Sequence, residues 1–278
     1  MPEKSILITG SSSGLGKACV RLFAERGWQV AATMRRPERE DELSHLANVQ
    51  IIRLDVTDEA AVKAGVQETI DKLGRLDVLL NNAGRGLLGM FEAATREQIR
   101  QQFDVNLFGV MDVTRAVLPH FRRHGAGLII NVSSILGLVA MPFSSLYSSS
   151  KWALEGWTES LAYELQLLGI RVKLVSPGVI GTSFLDVADR AVDPSLSDYD
   201  RDAFRHVREK MMANRQATSS SHSSAEQIAE IVYGAATDDS NRFRYVAGED
   251  ANKLWADRQE TGDQRFIEMI AKDFGFDD

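Results

Sequence analysis

Only one cysteine, Cys19, occurs in the chain, so no intrachain disulfide can form and a cysteine-rich zinc site is excluded. It falls in an apolar helical pattern (Ala18, Cys19, Val20, Leu22, Phe23), where a free thiol packs as a small core residue. Histidine is also scarce: there are five, with no HExxH, and only His120 and His124 share i, i+4 spacing. Arg122 and Arg123 stand between that pair and oppose a metal, so both are read as exposed helix-end residues and no metal site is expected. There is no long basic run and the net charge is −7, which leaves no electrostatic footprint for nucleic acid or an anionic membrane. Long hydrophobic runs are missing too. Near the N-terminus only Ile6-Leu7-Ile8 precedes Thr9-Gly10, far short of a signal or membrane segment, and a cytoplasmic location is expected.

What is present is ordinary for a globular protein, 44% hydrophobic and 26% charged, in a chain long enough for one large domain with a substantial core. Strand and helix patterns alternate. Ser5–Thr9 reads as a strand, followed by a tight turn at 10–14 and an amphipathic helix ending before Gly27. Strands follow at Gln29–Met34, Val49–Leu54, Asp77–Leu80, Gly127–Val132, Arg171–Val175 and Phe243–Val246. Helices are expected over Glu59–Leu73, from a capping box at Thr95-Arg96-Glu97-Gln98 to about His124, and from about Ser145 to Leu168. A second capping box stands at Ser224-Ala225-Glu226-Gln227. This alternation predicts a doubly wound α/β fold, a parallel Rossmann-type sheet with helices on both faces, as a single domain over 1–278. The polar stretch 183–223, ending in Thr218-Ser219-Ser220-Ser221-His222-Ser223-Ser224, breaks the rhythm and is expected to be a lid loop. The tail 249–278 is apolar at helical spacing (Leu254, Trp255, Phe266, Ile267, Met269, Ile270, Phe274), which suggests a helix packing on the body or on another subunit.

The turn Thr9-Gly10-Ser11-Ser12-Ser13-Gly14-Leu15-Gly16 joins the first strand to the first helix. Its glycines permit a tight turn and let backbone N–H groups approach a pyrophosphate at the positive end of the helix. Gly10-Ser11-Ser12-Ser13-Gly14 also satisfies G-x-S-x-G, the nucleophile elbow of an α/β-hydrolase, with Ser12 as nucleophile. Against that reading, the elbow would sit on the first strand and no HGGG-type oxyanion segment is present. At the end of the second strand an NAD site wants Asp or Glu for the ribose 2′-hydroxyl. Met34-Arg35-Arg36 stands there instead, and the guanidinium forks of Arg35 and Arg36 can pair with a 2′-phosphate, so NADP(H) is favoured over NAD(H).

Tyr147 and Lys151 are four apart and share a helix face. An ammonium beside a phenol favours the phenolate and would bring its pKa down from ~10. Ser134 ends the strand at 127–132, where residues line the ligand crevice of a parallel sheet and a hydroxyl can stabilise an oxyanion. Asn106 lies among Val105, Leu107 and Phe108, either on the surface or buried with partners.

Taken in order, TGSSSGLG (9–16), LDV (54–56), NNAG (81–84), VN (105–106), VSS (132–134), YSSSK (147–151) and PGVIGT (177–182) resemble the common form of the short-chain dehydrogenase/reductase family. The match spans residues 5 to about 182 and continues more faintly to about 248. The resemblance implies that Tyr147 is the acid/base and that Lys151 binds the nicotinamide ribose and lowers the tyrosine's pKa. It implies that Ser134 orients substrate and that Asn106 holds a water in a proton relay. The cofactor would be held by Gly10, Ser12, Ser13, Gly14, Leu15 and Gly16, by Asp55 and Val56 at the adenine, and by Asn82, Ala83 and Gly84 behind it. Pro177, Gly178, Ile180 and Thr182 would meet its carboxamide end. One departure is Ser13, where many NADP-dependent members carry a basic residue.

The expected activity is hydride transfer between NADP(H) and a carbonyl or alcohol carbon, chiefly ketone or aldehyde reduction. The alternative is an NADP(H)-binding regulator or sensor without turnover. Phe184, Leu185, Val187, Tyr199 and Phe204 in the 183–223 stretch suggest a hydrophobic carbonyl substrate. Pairing through the helices near 96–124 and 145–168, with Trp152 and Trp157 at the interface or in the core, would give a homodimer or homotetramer.

Overall fold

The computed structural model describes residues 4–193, 195–200, 202–217 and 222–276; the run from Thr218 to Ser221 lies outside them. Seven parallel strands form the central sheet: β1 (Ser5–Thr9), β2 (Gln29–Met34), β3 (Val49–Arg53), β4 (Val78–Asn81), β6 (Gly127–Val132), β7 (Ile170–Pro177) and β9 (Arg244–Ala247). Their order is β3-β2-β1-β4-β6-β7-β9. The chain winds one way from β1 and then restarts on the other side at β4, which puts the topological switch point between those two strands.

Alternation along each strand decides which helices cover which face. Ile6 and Ile8 of β1, with Val30, Val78, Leu80 and Ile130, pack against α1 (Gly14–Glu25) and α7 (Ala225–Thr237). Leu7, Ala31, Leu79 and Ile129 face the opposite way, onto α2 (Glu59–Leu73), α4 (Gly109–His124) and α5 (Ser145–Gln166). Strands buried on both faces must be apolar nearly throughout, and β1 reads SILIT with every residue buried,. Both capping boxes form, at Thr95/Gln98 and Ser224/Gln227. Cys19 is fully buried in the first cluster, and burial pushes its thiol pKa up.

Three expectations need correction. The helix from Thr95 is not uniform: α3 (Arg96–Phe103) passes through a π-helical turn at Asp104–Phe108 before α4 begins. Gly109 sits so close to the Val56 carbonyl that a Cβ there would lie 2.7 Å from its oxygen, and the widened turn buries Asn106 and Leu107,. His120 is not exposed. It follows Val113 and Val117 on the inner face of α4, and its ring accepts a hydrogen bond from Leu76 N at 3.1 Å. Burial lowers its pKa, which suits a neutral acceptor. Residues 183–223 are not simply a loop. They contain β8 (Asp189–Ala191), paired in parallel with β5 (Leu87–Gly89), and α6 (Asp202–Ala217). A three-residue strand carries too little periodicity to be seen in sequence. The tail is a helix as expected, α8 (Glu249–Phe274), broken at Gly262, and of the two placements expected for it the apolar side takes the chain's own body. Ala251, Phe266 and Ile270 meet Ile135, Leu138 and Val139, in the segment that follows Ser134. No helix among the described residues is long and apolar enough to cross a membrane.

Candidate active site

The glycine turn and the loop after β4 face each other across the switch point. Gly10 has φ +69°, and a Cβ on it would lie 2.8 Å from Ala83 Cα. Thr9 Oγ1 accepts from Asn82 N and Ala83 N, both at 3.0 Å, and Asn82 Nδ2 donates to Thr9 O and Gly10 O. Gly16 is closed in by Gly10 O and Asn82, while Gly14, φ +54°, faces Thr182 with its virtual Cβ 3.5 Å from Thr182 Cγ2. Ser12 and Ser13 are exposed at the start of α1, and Leu15 turns its side chain into the core. Turn, loop and Thr182 thus border one cleft at the N-terminus of α1, whose backbone N–H groups point outward.

Arg35 and Arg36 stand exposed at the end of β2. Arg53 braces them, donating to Arg35 O at 3.0 Å and pairing with Glu38. Asp55 accepts from Thr57 N and Thr57 Oγ1, which fixes its carboxylate, and Val56 is buried beside Gly109. Pro177 ends β7, and Gly178 N donates to Ala247 O. Ile180 bridges to Ser223, and Thr182 caps a short turn by accepting from Phe184 N.

Ser134, just beyond β6, accepts from Leu136 N at 3.1 Å, which leaves its own proton free to donate. Tyr147 is buried, with the Phe184 ring 6.0 Å away. Burial pushes its pKa up to about 12, against a smaller lowering by a hydrogen bond with Ser134. Lys151 lies 6.0 Å from the Tyr147 ring centre and donates to Val132 O at 2.9 Å. Burial pushes it down to about 8, partly opposed by Glu155. Desolvation thus outweighs the Ser134 hydrogen bond at the phenol,.

Asn106 is fully buried and well partnered. Its Nδ2 donates to Arg85 O (3.0 Å) and Ser150 Oγ (3.1 Å), and its Oδ1 accepts from Arg85 N (2.9 Å). A Cβ on Gly84 would lie 3.7 Å from Asn106 Oδ1 and 3.9 Å from Lys151 Nζ. The loop after β4, the π turn and α5 therefore meet at one point. Three contributors escaped the sequence reading: Gln102, Ser150 and the backbone of Arg85. Gln102–Asn106 and Tyr147–Ser150–Lys151 have helical spacings that place them on shared faces, and that was the available signal.

The family model for short chain dehydrogenases matches residues 4–192. A 3-ketodihydrosphingosine reductase of Bacteroides thetaiotaomicron is 42% identical over 186 residues, 67% of each chain. Human 17-beta-hydroxysteroid dehydrogenase type 1 is 31% identical over 260 residues, 90% of this chain and 79% of that protein. Among solved structures, a short-chain dehydrogenase from Streptomyces avermitilis superposes with TM-score 0.81 at 30% identity, covering 96% of both chains. Two Burkholderia proteins superpose at 25% identity: one from B. cenocepacia in complex with NADP (TM-score 0.75, 96% and 97% covered) and one from B. phymatum in complex with NAD (0.76, 93% of each). The family model covers well over half of the chain and the seven-stranded parallel sheet agrees with the superposed structures; the chain belongs to the short-chain dehydrogenase family of oxidoreductases.

Proposed function

We propose that the protein is an NADP(H)-dependent oxidoreductase that interconverts a carbonyl and an alcohol on a small hydrophobic substrate, working chiefly as a ketone or aldehyde reductase. The observation that carries this reading is Tyr147, buried between Ser134 and Lys151 at the carboxyl end of β6, across from the glycine turn. The cleft fits a dinucleotide, because a side chain at Gly10 or Gly16 would fill the space where the turn meets Asn82 and Ala83,. Gly10, Ser12, Ser13, Gly14, Leu15 and Gly16 would hold the phosphates, Asp55 and Val56 the adenine, Asn82, Ala83 and Gly84 the back of the molecule, and Pro177, Gly178, Ile180 and Thr182 the carboxamide. Ser12 is then part of the turn and not a hydrolase nucleophile. Arg35 and Arg36 present two guanidiniums where a 2′-phosphate would lie, which favours NADP(H).

When bound, the nicotinamide cofactor supplies or accepts the hydride. The chain's own residues handle the proton and the developing charge. Ser134 donates to the carbonyl oxygen and stabilises the oxyanion. Tyr147, kept protonated by burial, passes its proton to that oxygen during reduction,. Lys151 holds the ribose, and its charge favours the phenolate left behind. Asn106 would hold the water of the proton relay, while its side chain grips Arg85 and Ser150.

The substrate class is supported by Phe184 beside Tyr147 and by the apolar cluster of Leu138, Val139, Met141, Trp255 and Met269 after Ser134. Two relatives bear the names of a 3-ketodihydrosphingosine reductase and a 17-beta-hydroxysteroid dehydrogenase, both pointing to lipid-like ketones. Exposed Phe108, Tyr163 and Leu167 on α4 and α5 or their edges support a homodimer or homotetramer.

The test follows NADPH oxidation against ketones of graded size, long-chain and polycyclic ones included, with NADH in parallel. Tyr147→Phe should lower kcat by about 10²–10⁴-fold and leave NADPH binding intact. Wild-type turnover in that variant would overturn the mechanism.

A further inference from the structure

We propose that Gln102 is a positioning residue of this reaction, forming with Asn106 a two-amide clamp that sets the catalytic helix against the cofactor loop. The inference rests on the carbonyl-reductase reading above. Gln102 is fully buried and lies four residues before Asn106. Its Nε2 donates to Arg85 O (3.0 Å) and Ser150 Oγ (3.1 Å), the same two acceptors that Asn106 Nδ2 uses (3.0 and 3.1 Å). The two amides therefore bridge one pair of points side by side. Arg85 O can only accept, so both side chains must present nitrogen to it.

Each end of the bridge adjoins the chemistry. Arg85 directly follows Asn82-Ala83-Gly84. Ser150 lies on α5 between Tyr147 and Lys151, and its hydroxyl donates to Tyr147 O at 2.7 Å. Ser150 thus receives two hydrogen bonds from the clamp and passes its own to the backbone of the proton donor. This chain of bonds fixes the distance from the turn bearing Tyr147 and Lys151 to the loop of Asn82, Ala83 and Gly84, which would back the cofactor.

Gln102 occupies its site for its donors and not for fold stability. Its Oε1 has no partner among the described residues, and a buried amide with an unmet acceptor is a cost that an aliphatic side chain of similar size avoids. Leucine at this position keeps the volume, removes the unmet acceptor and cuts two of the four clamp bonds. The effects on stability and on rate should therefore separate.

Gln102→Leu is expected to keep or raise Tm and to leave the NADPH dissociation constant near wild type, while kcat falls by about 10–100-fold, the scale of an ångström's misplacement. Gln102→Glu adds a pH signature. Its carboxylate has no proton to donate and repels Arg85 O, whereas the protonated carboxyl restores one donor. Burial raises the carboxyl pKa, so its kcat relative to wild type should climb as pH falls from about 9 to about 6, with no such climb in Gln102→Leu. If Gln102→Leu does not fold, Ser150→Ala carries the test, because alanine keeps the helix and removes the shared acceptor. Wild-type kcat in a folded Gln102→Leu or in Ser150→Ala, or a Gln102→Glu ratio that is flat with pH, overturns the proposal. Tyr147→Phe, assayed beside them, separates the two failures. An inactive Tyr147→Phe with a fully active Gln102→Leu removes only the clamp, and an active Tyr147→Phe removes the carbonyl-reductase reading itself.

Discussion

Burial drives Tyr147 and Lys151 toward their neutral forms, the phenol up to about 12 and the ammonium down to about 8. For Lys151 the folded value lies below the ordinary 10.5. Between about 8 and 10.5 the unfolded chain binds more protons than the folded one, so stability rises with pH across that window,. Below it both states carry the charge, and the penalty is constant at roughly 3 kcal/mol by the conversion of one pKa unit to 1.36 kcal/mol. Lys151→Met should therefore be more stable than wild type at neutral pH. The gap in Tm should shrink as pH is raised through about 8 toward 10.5. Thermal melts of both proteins across that range check it, and a gap independent of pH would contradict the assigned cause. At the far end of the cleft, replacing Arg35 and Arg36 together by serine should weaken NADPH binding about 10–100-fold, the scale of hydrogen bonds to charged groups. NADH binding should hardly change, and titration with each cofactor measures the difference. Tyr147, Lys151, Ser134 and the arginine pair were legible in the sequence because their chemistry depends on residue type and spacing along one element. Gln102 and Ser150 were not. Spacing puts each on a helix face, but only tertiary packing determines that Gln102 reaches both Ser150 and the Arg85 backbone.

Whole elements were legible to the extent that their periodicity was long. Strands buried on both faces and helices with capping boxes stood out, whereas β5 and β8, three residues each, had no pattern to show. The π turn escaped because nothing in the local periodicity marks it; beside it Gly109 approaches the Val56 carbonyl, a contact distant in sequence. The tail α8 was seen as apolar helix, but its reach toward the cofactor loop was not. Asp250, in its first turn, accepts from Val179 N at 2.7 Å, and the carboxylate leaves no room for a Cβ on Gly178. The extension thereby fastens the loop from Pro177 to Thr182. Asp250→Ala frees Val179 N and should weaken NADPH binding by about tenfold, as expected for loss of one hydrogen bond to a charged group. Asp250→Asn retains an acceptor oxygen and should recover much of that affinity. Equal losses in the two variants, measured by cofactor titration, would mean that the carboxylate's charge, and not this hydrogen bond, holds the loop.

At the scale of the molecule two units differ in cohesion. One is the seven-stranded sheet with both faces covered by helices. The other is the two-stranded β5–β8 pair, backed by a small cluster around Leu87, Ala93 and Ala191. A pair of three-residue strands has little independent stability, and here it is held by Arg85 paired to Asp189 and by Tyr199 bonded to Glu92 at 3.0 Å. Amides that open only with the whole fold exchange slowly, while those in a weakly packed unit open on their own. Hydrogen exchange should therefore be much faster at 87–89 and 189–191 than in β1, β4 and β6. Asp189→Ala removes one tie that is partly exposed to solvent, and such pairs contribute little, so exchange of the small pair should accelerate by at most about fivefold. The central strands should be unaffected. If the small pair covers bound substrate, adding NADPH with a reducible ketone should slow its exchange selectively. If Asp189→Ala accelerated exchange in β1, β4 and β6 as well, the small pair and the sheet would be one cooperative unit, and the small pair would not open on its own.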